Sequence, residues 1–186
     1  MIADRKITFA LNVTLDGYTD HTVGIADDEL HDFFAQLLED ADLILFGRVT
    51  YQLMASYWPH AENDPEASES VKGFAKRYNA LPKIVFSRTL QKAEWYHSRI
   101  ERGSLVDQVL KLKQQPGKNV LISGISIFQE LLRHNLVDEY WLLVHPLIWP
   151  KGKRLFDNSD SQINLALVET KRFASGVVVL HYLKNS

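Results

Sequence analysis

The chain contains no cysteine. Disulfides, thiolate nucleophiles and cysteine-ligated metals are therefore excluded, and the composition suits a reducing compartment. Seven histidines are present, at positions 21, 31, 60, 97, 134, 145 and 181. They follow no metal-ligand spacing, so no metal is expected. Neither a G-x-S-x-G elbow nor a Walker loop occurs. An excess of one charge is also missing: 21 Lys and Arg stand against 23 Asp and Glu, a formal net charge of −2. Such a chain builds no field that would gather nucleic acid. No apolar run reaches the roughly 20 residues that span a bilayer. Residues 1–6 are too polar for a secretory signal, and a cytoplasmic location is the expectation.

What is present fits one α/β domain. The 186 residues are 46% hydrophobic and 24% charged, enough for a self-sufficient core. Short apolar runs bounded by turns predict strands at 7–13, 43–46, 84–86, 120–122 and 138–145. Between the first two, Leu30, Phe33, Phe34, Leu37, Leu38 and Ala41 make one helical stripe. Asp27, Asp28 and Glu29 precede that stripe, where the helix dipole favours carboxylates. Further helices are predicted over 49–57 and 70–79, with an exposed polar loop over 60–70. Ser104-Leu105-Val106-Asp107 and Ser126-Ile127-Phe128-Gln129 fit helix-start boxes, with Ser126 as N-cap. Two last strands, 165–173 and 177–183, flank Ala174-Ser175-Gly176, a hairpin loop. The order predicts a mostly parallel mixed sheet that ends in an antiparallel hairpin.

Three of these strands end alike, in Gly47-Arg48-Val49-Thr50, in Ser87-Arg88-Thr89 and in Ser123-Gly124-Ile125-Ser126. In a parallel sheet their carboxyl ends share one edge, where α/β proteins bind ligands. Cations, hydroxyls and free backbone N–H groups at that edge suit a phosphate-rich cofactor. Arg48 offers a fork that matches a phosphate. Asp16-Gly17 marks a turn after the first strand, where a carboxylate can face a substrate.

The motifs also carry a resemblance. Gly47-Arg48-Val49-Thr50-Tyr51 resembles the G-R-x-T-[YFW] motif of dihydrofolate reductases. Thr14-Leu15-Asp16-Gly17-Tyr18 resembles the S-L-D-G segment of the reductase domain in bacterial riboflavin-synthesis deaminase-reductases. Leu136-Val137-Asp138-Glu139-Tyr140, with Pro146 and the stretch from Gly152 to Phe156, resembles that domain's L-V-D-E-L…P…G…L-F signature. The matches run in order over Ile7 to Phe156. Two places depart from the pattern: Ser123-Gly124 stands where the family has Gly-Gly, and Trp149-Pro150-Lys151-Gly152 replaces apolar-Gly-x-Gly.

The resemblance implies a stand-alone, dihydrofolate reductase-like three-layer α/β/α domain. It implies an NADPH-dependent reductase that passes hydride to a pteridine or pyrimidine-like heterocycle such as an aminouracil ribotide. Gly47, Arg48, Thr50, Ser87, Arg88, Thr89, Ser123, Gly124, Ile125 and Ser126 would bind NADPH, with Arg48 on the ribose 2′-phosphate. Asp16 and Asp28 would be the catalytic carboxylates, and Asn12 and Val144 would line the substrate. A homodimer is expected, with Leu165, Leu167, Val177 and Val179 as its apolar surface. The alternative reading is a dimeric module that binds NADP(H) or flavin without turnover.

Overall fold

A computed structural model describes residues 5–157 and 162–185. The tip of the polar N-terminal segment, residues 1–4, lies outside the described residues. Strand β1 (Ile7–Thr14) runs through the centre of an eight-stranded sheet. To one side of it lie β6 (Asn119–Ser123), β3 (Ala41–Gly47), β4 (Lys83–Phe86) and β5 (Ser98–Glu101), in that order. On the other side lie β7 (Glu139–His145), β10 (Val178–Lys184) and β9 (Leu165–Arg172). The pairs from β5 through to β7 are all parallel, and β10 and β9 close the sheet antiparallel. A separate two-stranded ribbon pairs β2 (Tyr18–Thr19) with β8 (Lys153–Arg154). This is the mostly parallel mixed sheet the sequence predicts. Strand β5 and the ribbon are additional, because neither has the apolar run that would mark it.

Alternation along the strands divides the core between the two faces. Ile7, Phe9, Leu45, Val120 and Ile122 face α5 (Leu105–Lys113) and α6 (Ile125–Arg133). Phe9 stacks on Phe128 of α6, ring centroids 3.7 Å apart. On the opposite face Ile44, Phe46, Val85 and Leu121 meet α1 (Asp28–Glu39), α2 (Arg48–Ala55) and α4 (Glu69–Ala80). The result is a three-layer α/β/α domain.

Local chemistry sets the helix ends. Asp27 caps α1 through a bond from the Leu30 N–H, and Ser68 and Ser104 cap α4 and α5 in the same way. Several expectations are corrected. Ala41 is not the last residue of the α1 stripe but opens β3, since the helix stops at Glu39. The stretch read as a polar loop begins with a helical turn, α3 (Trp58–Ala61), that buries Ala61. Ser126 is not the N-cap of α6: the helix begins two residues earlier than that cap implies, at Ile125, and Gly124 occupies the cap. Val177 and Val179 point inward, packed with Phe33, Leu143 and Phe173, so they offer no surface for a partner.

One buried charge-bearing group stands at the far end of β4 from the ligand edge. Lys83 is 1% exposed. Its Nζ donates to the carbonyls of Asn79 and Leu81, at 3.0 and 2.7 Å, so it satisfies the end of α4. The same nitrogen lies 4.4 Å from the centre of the Trp95 ring. Burial pulls its pKa down to about 7.

Candidate active site

The chain leaves β3 toward β4 and leaves β6 toward β7, in opposite directions, so the sheet's switch point lies between β3 and β6. Open α/β sheets bind ligands in such crevices. Here the two strand ends touch. A Cβ placed on Gly124 would lie 3.0 Å from Thr50 Oγ1 and 3.5 Å from the Gly47 nitrogen. One placed on Gly47 would lie 3.1 Å from Ser126 Oγ. Gly47 and Gly124 therefore interlock, each against the first turn of the other's helix. Helices α2 and α6 both start here, and neither has a side-chain cap. Their leading N–H groups stay open to a ligand, and the two dipoles converge on one point.

Gly124 has φ +129°, a backbone region that side chains rarely adopt. Ser123 is not among the positive-φ residues. Serine is thus tolerated at the place where the family has its first glycine, and the glycine that geometry demands is retained. Ser123 sits on the Leu121 face with its hydroxyl toward Tyr78, whose pKa burial raises. Its contribution to this edge is its backbone. Ile125 and Ser126 form the first turn of α6, with Ser126 exposed.

Arg48 is exposed at the start of α2, and its Nη1 donates to Gln52 at 2.8 Å. Ser87, Arg88 and Thr89 follow β4. The Ser87 hydroxyl accepts from the N–H groups of Thr89 and Leu90, which shapes the turn and leaves Arg88 and Thr89 exposed. A residue the sequence reading missed, Arg102, holds this turn from outside. Its guanidinium donates to the carbonyls of Ser87, Arg88 and Leu90. No local motif marks Arg102, because its partners lie 12 to 15 residues away. A groove of about 670 Å3 opens beside the turn, with Gln52, Leu90 and Trp95 in its wall.

The predicted substrate residues separate. Asn12 and Val144 lie on opposite faces of the sheet: Val144 packs with the α6 side, whereas Asn12 pairs with Leu143 on the α1 side. Asn12 shares a narrow crevice of about 10 Å3 with Thr14, Asp20, Gly24 and His145. Asp16 is half-buried. Its Oδ1 accepts from Thr14 Oγ1 at 2.7 Å and from the Trp149 N–H at 3.1 Å. These bonds, that of Thr14 foremost, hold its carboxyl below the usual carboxylate range. Asp16 is an acceptor and an anchor for the 147–149 loop, and not a proton store. Asp28 stands apart. It is exposed, and its Oδ1 accepts from Ser68 Oγ of α4 at 2.5 Å. Its neighbour Glu29 takes the Ala174 N–H. Among the described residues no cluster of His, Asp or Glu is arranged to hold a metal ion, and no helix is long and apolar enough to cross a membrane.

The three-layer domain, with its mostly parallel sheet closed by an antiparallel pair, has the fold of the dihydrofolate reductase-like class of α/β proteins. Within that class the chain belongs to the RibD C-terminal domain family, whose model matches residues 5–179. It is 35% identical to the uncharacterized protein YyaP of Bacillus subtilis, over 99% of this chain and 97% of that one. Its fold is similar to that of RibD from Acinetobacter baumannii, with a TM-score of 0.70 and 14% identity. That match covers 98% of this chain and 58% of the RibD chain. It is also similar to dihydrofolate reductase from Enterococcus faecalis in complex with NADP(H), with a TM-score of 0.64 and 14% identity, over 97% of both chains.

Proposed function

We propose that this protein is an NADPH-dependent reductase that transfers hydride to a pteridine or pyrimidine-like heterocycle. The observation that carries the reading is the Gly47–Gly124 junction. Two uncapped helix starts meet there across two glycines, beside the Thr50 and Ser126 hydroxyls, a chemistry and a charge suited to a pyrophosphate. NADPH supplies the hydride chemistry when bound; the chain's residues bind and orient it. The backbone of Gly47, Ser123, Gly124 and Ile125, with the hydroxyls of Thr50 and Ser126, would hold the pyrophosphate. Arg48 would take the 2′-phosphate, and the Ser87-Arg88-Thr89 turn would cover the adenosine half. The nicotinamide would then lie toward β1, with the heterocycle on the α1 side of the sheet near Asn12. Water supplies the proton, since Asp16 is held ionised and Asp28 is engaged with Ser68. The protein acts as a homodimer through its exposed edge strand β9.

That same absence of a carboxylic proton donor favours the alternative, a module that binds NADP(H) or flavin without turnover. Two measurements decide. Thermal denaturation with NADPH, with NADH and without ligand tests the cofactor, because a ligand of the native state must raise the midpoint. A shift with NADPH is expected, and no shift removes the reading. Consumption of NADPH with dihydrofolate, a pterin or an aminouracil ribotide then separates the reductase from the silent module.

A further inference from the structure

The crevice at the ends of β1 and β7 holds two polar atoms that lack a partner. His145 is 3% exposed, and its Nε2 is buried without a hydrogen bond. Asn12 Oδ1 is buried without one as well. A buried polar group left without a hydrogen bond is costly, so residues carrying two of them around one crevice point to a partner that arrives from outside. The imidazole is also committed to one tautomer. Its Nδ1 accepts from the Ile25 N–H at 3.1 Å, which leaves the proton on Nε2. Gly24 sits flush against the ring. A Cβ there would lie 3.0 Å from Nδ1, and φ is +104°. The crevice is therefore lined by one residue that offers a fixed donor and by another that offers an acceptor.

We propose that His145 Nε2–H and Asn12 Oδ1 are a specificity pair for the lactam edge of the heterocycle. A ring carbonyl accepts from His145, and the adjacent ring N–H donates to Asn12. This deepens the reductase reading and rests on it for the presence of a ring at this end of the sheet. The crevice of about 10 Å3 has room for a single water, so residues 21–24 must move outward to admit a ring while Ile25 keeps its bond to Nδ1. Little holds them. Thr22 bonds only to Asp20, the Val23 N–H reaches the Asp20 carbonyl at 3.5 Å, and His21, Thr22 and Gly24 are exposed.

The test uses lumazine, a fluorescent pteridine with a lactam edge, and 1,3-dimethyllumazine, which keeps the carbonyls but loses the N–H groups. Both are titrated into the NADPH-loaded protein. Lumazine binding is expected, with the dimethyl analogue at least ~10-fold weaker, the cost of about one buried hydrogen bond. H145L should lose lumazine affinity by a similar factor, and H145Q, which restores a donor, should recover most of it. Side-chain 15N spectra add a readout independent of these variants: Nε2–H is expected before ligand, with its nitrogen shift moving on lumazine binding. Equal binding of the two lumazines, no lumazine binding, or a proton on Nδ1 overturns the pair. NADPH-induced thermal stabilisation in the same samples keeps the failures apart. If it is present while the lumazines are not distinguished, only the pair falls. If it is absent, the reductase reading falls.

Discussion

Gly124 is the residue on which the proposed cofactor edge turns. Alanine there meets the Thr50 hydroxyl at 3.0 Å and inherits a φ of +129°. G124A should lose about 1–3 kcal/mol of stability from backbone strain, read as a fall in urea midpoint, and should abolish NADPH stabilisation. S123G, one residue earlier, should leave NADPH binding nearly unchanged, because Ser123 carries no positive φ. Arg48 sets cofactor choice in the proposed site. R48Q should weaken NADPH by about 10- to 100-fold, the worth of a charge-assisted phosphate contact of ~1.5–3 kcal/mol, while NADH is unaffected; isothermal titration with both nucleotides checks it. Part of this was legible in the sequence. Gly-Arg-Val-Thr after an apolar run marks a strand that turns into a helix, and the structure brings Gly47, Thr50, Gly124 and Ser126 together as that reading required. The sequence did not distinguish which glycine is obligatory, since φ is fixed by contacts between segments about 75 residues apart.

Between elements the information thins. Helices with a capped start and an apolar stripe, such as α1 and α5, follow from their own residues. Strand β5 does not: Ser-Arg-Ile-Glu is polar, and its strand state comes from pairing with β4 alone. The opposite facing of Asn12 and Val144 depends on the register between β1 and β7, which no local pattern encodes. Arg102 is the same case, a tie between the end of β5 and the 87–90 turn. R102A should free that turn, and amide hydrogen exchange at Thr89 and Leu90 should speed up. The segment 20–25 answers to pH through His145. Burial lowers the pKa of this imidazole below its ordinary 6.5, against an opposing pull from Asp27; Asp20 also lines the crevice. Below 6.5 the unfolded chain takes up this proton before the folded one does, so stability falls on acidification through that window. Above 6.5 both forms are neutral and the loss is absent. Urea midpoints from pH 8 to 5 should drop more steeply in the wild type than in H145F.

Across the whole molecule, the sheet is sealed at its centre and exposes its β9 margin. Every residue of β9 but Leu165 is exposed, and Leu167 and Val168 are 55% and 52% accessible. The expected partner surface therefore keeps Leu167, whereas Leu165 packs partly against the core and the two valines turn inward. A dimer is expected in light scattering, with L167D shifting it to monomer. F128A should cost about 3–5 kcal/mol as a core truncation, since Phe128 is wholly buried against Phe9. Lys83 carries a different kind of consequence. An amine whose pKa lies at about 7 is substantially unprotonated in neutral buffer and so is intrinsically quick to acylate. Packed under Trp95 it meets no reagent until that ring and the end of α4 part from it. Mixed with an acylating agent, the exposed lysines would be consumed at once and Lys83 last. Its modification rate would serve as a clock for the opening of this end of the domain.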